Sequence, residues 1–215
     1  MAARSLHEQD LAQRLAERLL PLDKAAPSLR PPRSDYDLAQ LARPEGAALK
    51  PAAVLAGIVM RPEGWTLLLT QRTATMPTHA GQIAFPGGRV QSEDATPVDT
   101  ALRETEEEVG LSRRLVRPVG TIDCYETVTG YHVTPVVGLV EPGFTLSLDP
   151  REVADAFEAP LAFLMNPAHH ERREREHEGQ RRAFYVMSYQ NRHIWGATAG
   201  MIKALYDRLY GENGS

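Results

Sequence analysis

The chain has 215 residues, of which 42% are hydrophobic and 24% are charged, and its formal net charge is −4. These values are typical of one globular domain with an appendage, and the acidic balance argues against a general nucleic-acid-binding surface. No apolar run approaches the ~18 residues of a membrane span, and the single cysteine, Cys124, excludes a disulfide framework within the chain and predicts a reducing cytoplasm.

The N-terminal part of the chain has the pattern of a helix followed by an extended arm. Ser5 and Glu8 have the spacing of a capping box, and leucine then recurs every fourth residue, at Leu11, Leu15 and Leu19. Six prolines between residues 21 and 51 exclude a continuous helix or a central strand. We interpret residues 1–51 as a helix and a proline-rich arm. This arm lies over the domain, or reaches a partner subunit and makes a homodimer possible, or is a poorly ordered extension.

From residue 52 onwards, hydrophobic periodicity and turn residues predict mixed strands and helices. The expected strands are Ala53–Met60, Trp65–Gln71, Val116–Ile122, His132–Val140 and Phe184–Tyr189. The expected helices are a short one around Pro150–Phe157, another near Leu161–Met165 and a closing one over Ala197–Tyr210. Within the charged residues 169–182, the run Glu171–Glu176 alternates in sign, and we interpret it as a self-neutralising exposed segment.

A glycine-rich turn, Phe85-Pro86-Gly87-Gly88, precedes an expected helix on which carboxylates crowd one face. At roughly 100° per residue, Glu104, Glu107 and Glu108 fall within one narrow arc, and the stripe that a core would bury lies opposite. Like charges three and four residues apart cost an isolated helix about 0.2–0.5 kcal/mol per pair. A divalent cation shared among the carboxylates explains such a cluster, and hard oxygen ligands suit magnesium or manganese.

This pattern resembles the signature of the Nudix hydrolases, which reads Gly, five residues, Glu, seven residues, Arg-Glu-U-x-Glu-Glu-x-Gly-U, with U aliphatic. The matching positions are Arg103, Glu104, Glu107, Glu108, Gly110 and Leu111. Three features depart from it: Asp94 stands for the early Glu, eight residues separate it from Arg103, and Thr105 takes the first aliphatic position. Asp94 is therefore not among the expected metal ligands. The resemblance implies an α/β fold, a Nudix-type α/β/α sandwich with a mixed sheet, over residues 52–215.

Further blocks resemble one Nudix subfamily, the coenzyme A diphosphatases. The stretch Leu-Thr-Gln-Arg, which ends at Arg72, is followed by a spaced glycine and by the Phe-Pro-Gly-Gly turn, in the order of that subfamily's extra motif. Pro77 stands where many members carry a basic residue. Residues 127–138 and 194–200 also look like this subfamily, so the resemblance extends over most of the chain. It implies metal-dependent hydrolysis of coenzyme A or acyl-coenzyme A to 3′,5′-ADP and (acyl-)4′-phosphopantetheine.

The resemblance and the side-chain chemistry together define the candidate site. The residues with implied catalytic roles are Arg103, Glu104 and Glu107, and those of the implied Mg²⁺ or Mn²⁺ site are Glu104, Glu107 and Glu108. The candidate substrate contacts are Arg72, His79, Gln82, Gly87 and Gly88, because glycine lets the backbone approach a metal or phosphate and an arginine can bind a phosphate. For the first three, a surface or loop-backbone role is the alternative. Arg181 and Arg182 are candidates for the 3′-phosphate of coenzyme A.

Three other functions compete with the leading one. A Nudix diphosphatase could act on another nucleoside diphosphate derivative, such as ADP-ribose, NADH or a dinucleoside polyphosphate. An isopentenyl diphosphate isomerase shares the fold and protonates carbon with a cysteine and a glutamate, and only Cys124 could serve there. A ligand-binding regulator without catalysis generally has a broken Arg-Glu-x-x-Glu-Glu set, whereas this set is whole. The expected partner in each case is a small molecule, with neither nucleic acid nor membrane.

Overall fold

The computed structural model describes residues 6–24, 31–38, 41–43, 46, 48–75, 80–177 and 180–211. Within these ranges the strands are β1 Arg33–Ser34, β2 Lys50–Val59, β3 Thr66–Arg72, β4 Ile83–Ala84, β5 Gly87–Arg89, β6 Val116–Thr121, β7 Tyr125–Glu126, β8 Tyr131–Val140, β9 Val153–Pro160, β10 Glu171–His177, β11 Gln180–Tyr189 and β12 Arg192–Trp195. The α-helices are α1 Leu6–Arg18, α2 Pro97–Val109, α3 Leu161–Leu164 and α4 Ala197–Tyr210. Among the described helices, none is both long and apolar enough to cross a membrane.

The main sheet is mixed, because β2 runs parallel to β8 and antiparallel to β3. Its principal order is β1-β7-β8-β2-β3-β4, with β5, β6 and β9 pairing to β2, β8 and β3. Side chains of a strand alternate between the two faces of a sheet, and β2 has both faces covered. Ala56 and Ile58 pack in the cluster that contains α1 and α4, whereas Leu55 and Val59 pack with α2. The predicted α/β/α sandwich is confirmed.

The N-terminal helix packs against the C-terminal one. Leu11 and Leu15 of α1 are buried in the cluster that also contains α4, and Arg14 and Arg18 donate hydrogen bonds to the carbonyls of Leu209 and Gly211 at 3.3 and 2.8 Å. These carbonyls lie in the last turn of α4, where the helix itself offers no donor. Helix α1 therefore completes both the core and the end of α4. The predicted capping box involves Ser5, which lies outside the described residues.

The arm after α1 contacts the main sheet in its described part. β1 runs parallel to β7, and the backbone of Leu20 pairs with Thr121 of β6. The Asp35 carboxylate accepts hydrogen bonds from the Tyr125 hydroxyl at 3.0 Å and from the Val128 N–H at 2.9 Å. Residues 31–38 thus lie over the domain. The division of the chain at residue 52 stays a prediction, and β2 begins just before it.

The predicted short helix around Pro150–Phe157 is wrong. Residues Val153–Pro160 form β9, which pairs antiparallel with β3 along its whole length. The alanines and glutamate of this segment favour helix locally, but the backbone groups of β3 need a partner on that side, and tertiary pairing overrides the propensity. The predicted helices Leu161–Met165 and Ala197–Tyr210 are confirmed. Among the charged residues 169–182, Glu171–His177 form β10 and residues 180–182 begin β11, which pairs antiparallel with both β10 and β12.

Candidate active site

Helix α2 is capped at both ends, and these caps fix the helix that carries the candidate carboxylates. The Thr96 hydroxyl accepts a hydrogen bond from the Asp99 N–H at 3.2 Å, and Pro97 occupies the first turn. At the other end, Gly110 has a φ of 68°, the left-handed conformation of a helix C-terminus. Thr105 is fully buried, and its hydroxyl donates to the Ala101 carbonyl at 2.6 Å. Because its hydroxyl is satisfied within the helix, Thr105 can take the place of an aliphatic residue.

Glu108 is a buried carboxylate that faces the glycine strand β5. The N–H of Gly87 donates a hydrogen bond to Glu108 Oε2 at 3.2 Å. The pKa of Glu108 is raised to about 8, mainly by burial and also by repulsion from Glu104 and Glu152. The hydrogen bond from Gly87 and the charge of Arg72 favour the ionised carboxylate and oppose this rise. The side of α2 that carries Glu108 is thus itself packed against the domain.

Glu104 lies against the backbone of Gly88. A Cβ on Gly88 would lie 2.5 Å from the Glu104 carboxylate carbon, so only glycine leaves room for this carboxylate. Burial also raises the pKa of Glu104, while Arg103 opposes that rise by hydrogen bonding. Gly87 has a φ of 152°, and its Cβ would collide with the Ala53 carbonyl oxygen. The two glycines therefore serve different purposes: Gly88 leaves space for Glu104, and Gly87 allows the turn of the chain.

Arg103 connects the carboxylates of the signature. Its guanidinium binds Asp94 at 2.8 and 2.9 Å, Glu104 at 2.9 Å and Glu107 at 3.2 Å. Hydrogen bonds from Arg103 hold the pKa of Asp94 well below its usual value, and Asp94 also accepts a hydrogen bond from the Thr100 hydroxyl at 2.9 Å. Asp94 is thereby turned towards Arg103 and serves to anchor it. The longer spacing before the helix is compatible with this role.

The expected metal ligands do not all occupy equivalent positions. Glu104 and Glu108 line a common cavity, whereas Glu107 is not among its lining residues; the Glu107 side chain is 61% exposed and contacts Arg103. Within the described residues, no three His, Cys, Asp or Glu side chains converge as closely as the ligands of a bound metal. The donor set nevertheless fits a hard divalent cation, because the buried Glu108 and the half-buried Glu104, both with raised pKa values, repel each other beside a glycine backbone.

The cavity in front of α2 has a volume of about 920 Å³. Its wall includes the expected substrate contacts Arg72, Gln82, Gly87 and Gly88. Nε of Arg72 is buried and, in the part of the chain that the structure describes, has no hydrogen-bond partner. A buried donor left in this way costs free energy, which favours a role for Arg72 in binding an anionic ligand. His79, the remaining expected contact, lies outside the described residues.

Two functional candidates were missed from the sequence. Glu152 also lines the cavity, and its backbone carbonyl accepts a hydrogen bond from the Thr73 N–H at 2.9 Å. Its carboxylate repels those of Glu104 and Glu108. Arg175 also lines the cavity, although it belongs to the run interpreted as self-neutralising. Neither position has a local sequence signal, because each reaches the cavity through pairing of distant strands.

The chain is similar to known proteins of one family. A family model described as the NUDIX domain matches residues 50–186. A protein of Photorhabdus laumondii, named uncharacterized Nudix hydrolase NudL, is 43% identical over 158 residues, covering 74% of this chain and 84% of that protein. The protein of the same name from Cronobacter sakazakii is 42% identical over 154 residues, covering 72% and 80%. Among solved structures, a C. elegans Ap4A hydrolase complex aligns with a TM-score of 0.45 at 19% identity, covering 52% of this chain and 80% of that one.

Proposed function

The chain belongs to the Nudix hydrolase family, and from this premise we propose that it hydrolyses the diphosphate bond of coenzyme A or acyl-coenzyme A with the help of Mg²⁺ or Mn²⁺. The products are 3′,5′-ADP and (acyl-)4′-phosphopantetheine. Water attacks one phosphorus, the bridging P–O bond breaks, and the departing monophosphate leaves with its oxygen. The general part of this statement, action on a nucleoside diphosphate derivative, follows from the family.

One observation carries the proposal: Glu104, Glu108 and Arg72 line a single large cavity beside the Gly87–Gly88 backbone. A diphosphate is an anion and needs both cations and open backbone around it. Arg72 supplies a fixed positive charge at the end of β3, and its buried Nε remains available as a donor. The two carboxylates would be donors for the cation, with the exposed Glu107 as a third.

When bound, the cation would spread the negative charge of the diphosphate and make a neighbouring water more acidic. The protein's own residues orient the reaction. Arg103, anchored by Asp94, holds Glu104 in place by a hydrogen bond of 2.9 Å. We assign Glu152 as the acceptor of the water proton, because it lines the same cavity as Glu104 and Glu108, raises the pKa of both by repulsion and comes from a different part of the chain. Arg72 positions the diphosphate.

The preference for coenzyme A is supported by the position of the extra motif. Arg72 is the last residue of β3, and its backbone N–H binds the Gln82 carbonyl at 2.9 Å. Arg72, at the end of the Leu-Thr-Gln-Arg block, and Gln82, which precedes the Phe-Pro-Gly-Gly turn, both line the cavity. This position supports a role for the subfamily motif in contacting the substrate. We keep the cytoplasm as the proposed compartment, since Cys124 is the sole cysteine of the chain.

The isomerase alternative has less support. The Cys124 thiol contacts the Thr134 hydroxyl at 3.7 Å and lies outside the cavity lined by Glu104 and Glu108, and burial raises its pKa. A cysteine that transfers a proton to carbon must reach the substrate. A ligand-binding regulator without catalysis would not need a complete catalytic set. In this chain Arg103 is held by Asp94, and Glu104 and Glu108 are both present. Full activity of Cys124→Ala would exclude the isomerase.

The deciding experiment is an end-point assay with purified protein and either Mg²⁺ or Mn²⁺. Coenzyme A, ADP-ribose, NADH and diadenosine polyphosphates are offered separately, and the products are identified by mass. We expect 3′,5′-ADP and 4′-phosphopantetheine from coenzyme A, with Glu108→Gln as an inactive control. Cleavage of ADP-ribose, NADH or a dinucleoside polyphosphate without cleavage of coenzyme A would overturn the substrate assignment and keep the family's chemistry.

A further inference from the structure

Two arginines face each other across the β10–β11 hairpin. Arg175 and Arg182 are directly opposite in the antiparallel register, and both line the cavity that contains the candidate active site. Like charges at directly opposite positions destabilise a pair of strands. A hairpin that places two guanidinium groups side by side on a cavity wall is suited to an anion that both can bind.

The glutamates of this hairpin are paired with other arginines. Glu174 binds Arg172 at 2.5 Å and Arg181 at 2.9 Å on one face, and Glu171 binds Arg173 at 2.6 Å. Because side chains alternate along a strand, Arg175 points away from the face that Glu174 occupies. Within the described side chains, the Arg175 guanidinium forms no ion pair. The charged run is therefore neutralised only in part, and the remaining charge faces the cavity.

Two other cations of the wall share one carboxylate partner. Arg33 and Lys203 both bind Asp207, at 3.4 and 2.5 Å. Arginine pairs suit phosphates in particular, because the planar guanidinium offers two parallel donors to phosphate oxygens.

An aromatic surface lies beside the two arginines. Phe184 follows Arg182 on the same face of β11, and Trp195 of β12 meets its ring edge-on, with 5.7 Å between ring centroids. Both rings line the cavity, and Trp195 is 39% exposed. Exposed aromatic rings beside guanidinium groups are the combination that binds a base with a nearby phosphate.

We propose that Arg175 and Arg182 bind a phosphomonoester on the nucleoside end of the substrate, with Phe184 and Trp195 against the base. This inference rests on the proposed function, under which the group is the 3′-phosphate of coenzyme A. The β10–β11–β12 sheet then recognises the nucleotide, while α2 and β5 hold the diphosphate. Arg181, one of the two arginines expected from the sequence, is 83% exposed and paired with Glu174 on the other face, so it is replaced in this role by Arg175.

The test compares the binding of 3′,5′-ADP and 5′-AMP by calorimetry in the presence of Mg²⁺. These ligands differ by the 3′-phosphate alone. We expect the wild-type protein to bind 3′,5′-ADP about tenfold more tightly, Arg175→Gln and Arg182→Gln to remove most of this preference, and Arg181→Gln to keep it. Arg175 is exposed, so its variant is expected to fold, and thermal unfolding checks this.

Equal affinity of the wild-type protein for the two ligands would overturn the subsite. An equal loss of preference in Arg181→Gln would also overturn it, because the effect would then be one of overall charge. Hydrolysis of coenzyme A is measured separately on the same proteins. If the protein cleaves coenzyme A but shows no preference for 3′,5′-ADP, the subsite is wrong and the proposed function stands. If the protein shows a preference that depends on Arg175 but does not cleave coenzyme A, the subsite is supported and the substrate assignment is wrong.

Discussion

Arg103 binds the carboxylate of Asp94 through two hydrogen bonds, from Nε to Oδ1 at 2.9 Å and from Nη2 to Oδ2 at 2.8 Å. This bidentate pair is almost excluded from solvent and fixes the guanidinium that also contacts Glu104. Asp94→Asn keeps the size of the side chain but removes the charge. We expect kcat/KM to fall about tenfold to a hundredfold, as for other residues that support a metal ligand. Glu93→Gln, at the neighbouring position, should retain activity, and equal rates for both variants would contradict the anchoring role.

The carboxylates of α2 are expected to matter for turnover but little for folding. Glu107→Gln and Glu108→Gln should each lower kcat about a hundredfold or more, because each removes a charge from the cation site. The melting temperature without metal should hardly change, since Gln fills the same volume. Glu106→Gln is the matched control, because Glu106 lies on the same helix and pairs with Arg113 at 3.1 Å. An active double variant of Glu107 and Glu108 would end the metal-site hypothesis.

Glu152 is predicted to act in the chemical step. Glu152→Gln should lower kcat about a hundredfold while the Mg²⁺ concentration for half-maximal activity stays within about twofold, because Glu104 and Glu108 remain as the cation's donors. The measurement is a Mg²⁺ titration of initial rates for the wild type and the variant. Glu141→Gln serves as an exposed control. A large increase in the required Mg²⁺, with unchanged kcat at saturation, would make Glu152 a metal ligand and not a proton acceptor.

The two glycines of β5 should respond differently to alanine. Gly88→Ala places a methyl group against the Glu104 carboxylate, the end of a flexible side chain that can move away; activity should fall and stability should largely remain. Gly87→Ala requires a φ of 152° and a collision with the Ala53 carbonyl, so it should cost at least about 1–3 kcal/mol of stability. Urea unfolding and initial rates together separate the two effects. Two variants with equal stability would contradict this assignment.

Stability should depend on pH through Glu158. Burial disfavours its charged form, but hydrogen bonds from Arg61, at 2.5 and 3.0 Å, and from Thr66 outweigh burial and hold the pKa of Glu158 below its usual value. A lowered pKa in the folded state stabilises the protein above the unfolded pKa of about 4.3, and this contribution is lost as the pH falls through the folded pKa. Glu158→Gln should therefore cost about 1 kcal/mol at pH 7, given partial screening by solvent, and almost nothing once the pH is below the folded pKa of Glu158.

Urea unfolding of the wild type and Glu158→Gln across this pH range measures the difference. The exposed Glu141→Gln serves as the control and should follow the wild type. A destabilisation of Glu158→Gln that does not change with pH would mean that packing of the side chain, and not its charge, is responsible.

Local signals predicted the parts of the fold that local chemistry decides. The closing helix Ala197–Tyr210 has the predicted bounds, and Gly110 ends α2 in the expected left-handed conformation. β9 was mistaken for a helix because its partner, β3, lies far away in the chain. The same reason applies to the site: the carboxylates of α2 were predicted from their spacing, whereas Glu152 and Arg175 reach the cavity through pairing that a single sequence does not display. Asp94 was set aside because of its spacing, and its contact with Arg103 could be seen only in three dimensions.

The packing of α1 on α4 has a consequence for the synthesis of the chain. Leu11 and Leu15 are among the first described residues to leave the ribosome, but the helix that covers them is among the last. During most of translation the apolar face of α1 has no native partner, which makes the growing chain susceptible to aggregation or to binding by chaperones. Ribosome-bound chains stalled before residue 197 should consequently lack the core between α1 and α4, whatever the duration of the stall.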